Sequence, residues 1–228
     1  MRCGWLRAVM FVLPIAALLT SAAVKAAAPT DEDAAIAQRL AEMLQNARTV
    51  VSNNQDLINN PQLGDKHLSG QVVLNQAVKI YQRATGSDPT TVDPKSRQGR
   101  LLRAMMAAIV AVTDDNQTTI NEKGTAFKGF IPAVFARLVS EDFNTRAKGE
   151  AEVKVTAPPE LVRNHKARPD AWEADIMKTK LLAAAWPSGQ SYSAVVDVNG
   201  HPAFRIWFLN TTWRPASSAT VRPRAKWT

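Results

Sequence analysis

The sequence predicts an α+β domain in which helices come first and a small antiparallel sheet comes late. Three observations predict it. Apolar residues recur at three- and four-residue spacing along most of the chain, the period of a helix with one buried face. In "SYSAVVDVNGHPAFRIWF", from Ser191, strict alternation replaces that spacing. Between its two alternating runs stands Asn199-Gly200, a dipeptide suited to the positive φ angles of a tight hairpin turn.

The elements follow in order. Thr30-Asp-Glu-Asp33 starts a helix, with a capping hydroxyl, an acid at the third helical position and negative charge at the positive end of the dipole. Ile36, Leu40, Leu44, Ala47 and Val51 carry it to about Asn59, and Asn60-Pro61 breaks it. A second helix runs from Val72 to Arg83 and closes at Gly86. A loop rich in Pro, Asp and Thr leads to a third, whose apolar side is Leu101, Leu102, Met105, Met106, Ile109 and Val112. Pro132 suits the first turn of a fourth helix bearing the stripe Phe135, Leu138, Val139 and Phe143. The alternating "EAEVKVTA" from Glu150 predicts a half-buried strand, stopped by Pro158-Pro159. Asp170 to Ala185 is helical in pattern, with Trp172, Ile176 and Leu181-Leu182 as its apolar positions.

Two stretches resemble each other: "SNNQDLINNPQLGDKHLSG" from Ser52 and "TDDNQTTINEKGTAFKGF" from Thr113. Each ends a helix with Asn-Gln, places Ile-Asn three residues later and continues into a loop containing Gly and Lys. This is a duplicated helix-to-loop unit, with too few copies for a solenoid.

At 228 residues the chain holds one sizeable core. Residues 1–26 read as a signal peptide: a basic start with Arg2 and Arg7, an apolar run from Ala8 to Val24, and small residues at Ala26 to Ala28. The mature chain is expected in the periplasm or outside a bacterial cell, with no membrane span after cleavage. The formal charge of +8 is concentrated at the ends. Arg2, Arg7 and Lys25 lie in the signal, and Arg214, Arg222, Arg224 and Lys226 lie in the tail; removing these three and four leaves +1 for the body. No nucleic-acid partner is expected from that balance. The single cysteine, Cys3, leaves with the signal, so no disulfide or thiolate nucleophile is expected.

The chain has no Gly-rich phosphate loop, zinc-spaced His/Cys cluster or nucleophile elbow, and His67, His165 and His201 are scattered. No enzyme and no metal site are expected. Two segments are dense in unusual residues. In "FKGFIPAVFAR" a Gly turn presents Phe127 and Phe130 before a helix started by Pro132 and carrying Phe135, whose first amides suit an anion. In "LVRNHKARPDAWE" Arg163, Asn164 and Trp172 stand close together. Taken singly, core packing accounts for the first, and the start of a helix with solvated arginines accounts for the second. Together these seven residues form the candidate ligand pocket.

In their order, "KGFIPAVFARLVSEDFN", a strand, "RNHKARPDAWE" and "FRIWF" resemble the bacterial periplasmic family catalogued as domain of unknown function 3365, over about Val50 to Phe208. The resemblance implies a PAS-like fold and a role in sensing or electron transfer, as small c-type cytochromes or as extracytoplasmic parts of signalling proteins. Members carry Cys-x-x-Cys-His-Gly shortly after the strand equivalent to "FRIWF"; its cysteines bind haem as thioethers and its histidine ligates iron. This chain has no such motif. Its positions His165 to Pro169 also depart from the family's Pro-x-Asn-x-Pro.

The last residues explain the difference when read out of frame. Trp213 to Thr228 has four basic residues, no acid and no apolar periodicity. Joining the third base of each codon from Pro215 to the first two of the next permits Cys at Ala216 and at Ala219, His at Thr220 and Gly at Val221; Trp227-Thr228 then gives an obligatory Asp. A one-base deletion after Ile206 would turn a haem-binding end into this tail. The expected organisation is therefore a signal at 1–26, a PAS-like domain with a helical N-terminal region at 27–212, and a disordered out-of-frame tail at 213–228. No covalent haem is expected in this chain, and its redox or signalling partner is unknown. A rival reading is a haem-free sensory module in which Phe130 and Phe135 surround a small organic ligand.

Overall fold

The computed structural model describes residues 31–181, 186–187, 190–198 and 201–207. The expected signal, the expected tail and the Asn199-Gly200 turn lie outside the described residues. Helices dominate: α1 (Asp31–Asn53), α2 (Gln55–Ile58), α3 (Gly70–Thr85), α4 (Arg97–Asp115), α5 (Gln117–Ile120), α6 (Pro132–Ala147) and α7 (Ala171–Ile176), followed by strands β1 (Tyr192–Val198) and β2 (His201–Trp207). The two strands pair antiparallel, with Val195 opposite Phe204. The architecture is thus broadly α+β.

The core lies where α1, α3, α4 and α6 meet, each contributing one apolar face. Caps set the ends of these helices. The Ser69 hydroxyl accepts from the Val72 amide, Ser96 does the same for Gly99, and Pro132 occupies the first turn of α6, where its missing N–H costs nothing. Gly86 ends α3 in the left-handed conformation, with φ 69°.

The duplication seen in the sequence extends through the whole bundle. Helix α3 starts at Gly70 and α6 at Pro132, and they end at Thr85 and Ala147, a constant offset of 62 residues. The same offset takes the end of α1, Asn53, to the end of α4, Asp115, and Gln55–Ile58 to Gln117–Ile120. It also takes Gly86 to Lys148 and His67 to Gly129, all four with positive φ. Buried positions coincide: Leu40 with Leu102, Met43 with Met105, Val73 with Phe135, and Tyr81 with Phe143. In each copy the long helix packs on the second long one, α1 on α3 and α4 on α6. The copies join through α1 with α4, α1 with α6, and α3 with α4, an internal pseudo-two-fold arrangement.

The offset shows where the second copy carries strain that the first avoids. Lys148 holds φ 50° at the end of α6, the position Gly86 fills after α3. A side chain there costs about 1–2 kcal/mol, partly offset because glycine frees the unfolded chain. Lys148→Gly is expected to stabilise the domain by about 0.5–1 kcal/mol. Urea unfolding with an unchanged m-value checks this, and an unchanged or lower midpoint contradicts it.

Three sequence expectations are corrected. Among the described residues, the segment from Glu150 to Ala157 pairs with no strand. Its alternation is real, since Ala151, Val153 and Val155 pack against the core. The role of a neighbouring strand is taken by one side chain: Asn144 Nδ2 donates to the Val153 carbonyl at 3.0 Å, and the Val153 amide donates to Asn144 Oδ1 at 2.8 Å. The helix expected from Asp170 to Ala185 is α-helical only to Ile176 and continues as a π-helical turn over Met177–Leu181, while 182–185 lie outside the described residues. The long first helix is also interrupted, at Asn54, before α2.

Candidate functional site

The seven sequence-derived site residues do not meet in one place. Phe130 and Phe135 are both buried in the core, edge to face with centroids 5.9 Å apart. Phe127, one turn of loop away, is 69% exposed. Pro132 is half-buried at the start of α6, and Arg163 and Asn164 are exposed. Asn164 Oδ1 accepts from the Lys166 amide at 2.9 Å and so holds the short 3₁₀ turn His165–Ala167.

Trp172 belongs to a different cluster. It is half-buried beside Tyr192 of β1, at 6.3 Å between centroids, and Tyr192 also meets Trp186 at 5.9 Å. The Arg205 guanidinium from β2 lies over Trp172, 5.4 Å from the ring centroid, and pairs with Asp170. Asp170 in turn caps α7: its carboxylate accepts from the Glu173 amide while Glu173 reaches back to the Asp170 amide, a complete capping box. Partial burial raises the Asp170 carboxyl, but the Glu173 amide, Arg205 and Lys154 together outweigh it and hold the group below the usual carboxylate range.

A cleft of about 340 Å³ opens between α6, the extended segment after it and the turn at His165. Arg137, Ser140, Glu141 and Asn144 line one wall, Glu152 to Val155 a second, and Lys166 with Ala167 the rim. Arg137 is held by Glu141 at 2.8 Å, and Lys154 by Glu173 at 2.7 Å. The walls therefore offer paired charges of both signs to a small polar molecule. None of the seven expected residues lines it, although Asn164 shapes its rim.

No family model matches the chain, and no curated protein or solved structure does. Among the described residues, no group of three or more His, Cys, Asp or Glu is placed to hold a metal ion, and no helix is long and apolar enough to cross a membrane. His67 and His165 are both exposed, and His67 pairs with Asp65.

The sequence reading missed a pair of lysines. Lys66 and Lys128 lie in the two loops of the repeat, one offset apart, and are only 3% and 8% exposed. The signal was present: each follows the Asn of Ile-Asn by seven residues, and a solvated lysine has no reason to keep that spacing. Each loop is gripped by the other copy. Asn121 Oδ1 accepts from the Lys66 amide at 2.9 Å, and Gln117 Nε2 donates to the Leu68 carbonyl at 3.0 Å. Reciprocally, Asn59 Oδ1 accepts from the Lys128 amide at 3.2 Å, and Gln55 Nε2 donates to the Phe130 carbonyl at 3.1 Å.

Burial and the neighbouring Lys128, against a smaller opposing effect from Asp65, push the Lys66 pKa below the ordinary 10.5. A lysine whose folded value is lowered binds fewer protons folded than unfolded. Stability then rises with pH through the window between the lowered value and 10.5. Lys66→Met is expected to flatten this rise, measured as urea midpoints across the alkaline range. An identical slope in the variant counts against it.

Proposed function

We propose that this chain is a periplasmic sensor or electron-transfer domain of the PAS-like, haem-c-associated kind, not an enzyme, in a form without the covalent haem site. One observation carries the reading. The two distant segments that underlie the resemblance, "RNHKARPDAWE" and "FRIWF", are joined: Arg205 of β2 pairs with Asp170 and lies over Trp172. This contact docks the hairpin against α7. The shifted reading frame permits a haem motif from Ala216, nine residues after Trp207. The residues present do not fit covalent haem, because no cysteine follows Cys3.

Sequencing codons 205 to 228 and restoring one base after Ile206 tests this. The chain as it stands, expressed with the cytochrome c maturation machinery, is expected to give no haem band after denaturing electrophoresis. The restored chain is expected to give one, together with a pyridine haemochrome spectrum. Third bases that forbid the motif refute the frameshift. A restored motif without haem leaves the frameshift standing and refutes the haem-family assignment.

The cleft beside α6 favours a second reading, a haem-free sensory module. With Phe130 and Phe135 committed to the core, the ligand of such a module would be small and polar and would sit among Arg137, Lys154 and Lys166. Thermal-shift screening of the wild type against Lys166→Ala tests it: a polar compound that stabilises only the wild type supports it.

A further inference from the structure

The charges around the cleft beside α6 narrow what it can hold. At about 340 Å³ it lies at the low end of the range for ligand pockets, so its occupant has few heavy atoms. Two of its cations are already balanced, Arg137 by Glu141 at 2.8 Å and Lys154 by Glu173 at 2.7 Å. Glu152 and Lys166 differ from them. Both line the cleft, and among the described residues neither side chain has an ion-pair or hydrogen-bond partner. Each stands on a fixed backbone. The Lys166 amide donates to Asn164 Oδ1 at 2.9 Å, and Val153, next to Glu152, is held at its amide and its carbonyl by Asn144.

The hydrogen-bonding groups divide in the same way. Ser140 is 4% exposed and its hydroxyl donates to the Ala136 carbonyl at 2.8 Å, so towards a ligand its oxygen only accepts. Arg137 only donates, and Nη1 serves Glu141 while other N–H groups of the fork remain. Ser140 and Glu152 therefore call for a donor, and Arg137 and Lys166 for an acceptor.

We propose that the cleft binds a small zwitterionic α-amino acid, with its ammonium towards Glu152 and Ser140 and its carboxylate towards Lys166 and Arg137. This rests on the reading of the cleft as a ligand site and adds the class of the ligand. A simple carboxylate would leave Glu152 unanswered, and a simple amine would leave Lys166 so. A molecule with both charges answers both. The small volume favours a short side chain such as that of alanine or serine.

Calorimetric titration of the full chain at neutral pH tests this, with L-alanine and L-serine as probes and propionate and propylamine as controls carrying one charge each, all at constant ionic strength. Saturable binding of at least one amino acid is expected, with both controls weaker. Glu152→Gln and Lys166→Gln are each expected to weaken it by about tenfold or more, the loss of a hydrogen bond to a charged group. Both side chains are exposed, so the variants are expected to keep the urea midpoint of the wild type. No binding of either amino acid overturns the proposal, as does binding that either variant retains or a control that binds as tightly. If the amino acids fail while another polar compound stabilises the wild type and not Lys166→Ala, the cleft remains a ligand site and only this class is wrong. If no polar compound does so, the reading of the cleft falls with it.

Discussion

Phe135→Ala is expected to destabilise the domain by about 3–5 kcal/mol, the range for removing a fully enclosed phenyl ring. The ring is completely buried, meets Phe130 edge to face and sits at the start of α6, where both copies of the bundle contribute to the core. Its counterpart in the first copy is Val73, also fully buried. Phe127→Ala, eight residues earlier, is expected to change stability by less than about 0.5 kcal/mol because that ring is mostly in solvent. Urea denaturation of both variants provides the comparison. Similar small effects at the two positions would show that Phe135 lines a tolerant pocket instead of a packed core. For a domain whose whole stability is about 5–15 kcal/mol, the expected loss is a large share.

Asn121→Ala is expected to cost about 1–3 kcal/mol, since it strands polar groups without replacing them. Asn121 Oδ1 receives the Lys66 amide at 2.9 Å, and Asn121 Nδ2 donates to Gln117 Oε1 at 3.0 Å. Removing the side chain leaves both partners with an unmet bond in a largely closed junction. Asn59→Ala, the equivalent change in the first copy, is expected to cost less, because its bonds are longer at 3.2 and 3.5 Å. The two side chains hold loops that carry Lys66 and Lys128, so the double variant should depart from additivity by at least 0.5 kcal/mol. Additive effects would mean that the loops are independent and that the reciprocal grip is only geometric.

The fate of each expectation follows from the range of the force behind it. The spacing of Leu101, Met105, Ile109 and Val112 determined a helix and its buried face, because that depends only on residues within two turns. Pro132, Gly86 and the alternation from Tyr192 to Trp207 marked a start, a stop and a hairpin for the same local reason. The Asn-Gln and Ile-Asn echo showed the duplication, but not its extent, since the buried positions outside the loops are shared in burial and not always in identity. Alternation from Glu150 correctly gave one inward face but not its partner, and the partner is the side chain of Asn144. Phe135 was legible as part of the stripe of α6, whereas Phe127 and Phe130, three residues apart in one loop with the Gly129 turn (φ 73°) between them, look alike in the sequence and differ in the fold: only Phe130 enters the core. Lys66 and Lys128 depended most on tertiary structure. Burial of an ammonium is set by the loop that the opposite repeat holds over it, and that loop lies some sixty residues away along the chain, beyond the reach of any local pattern.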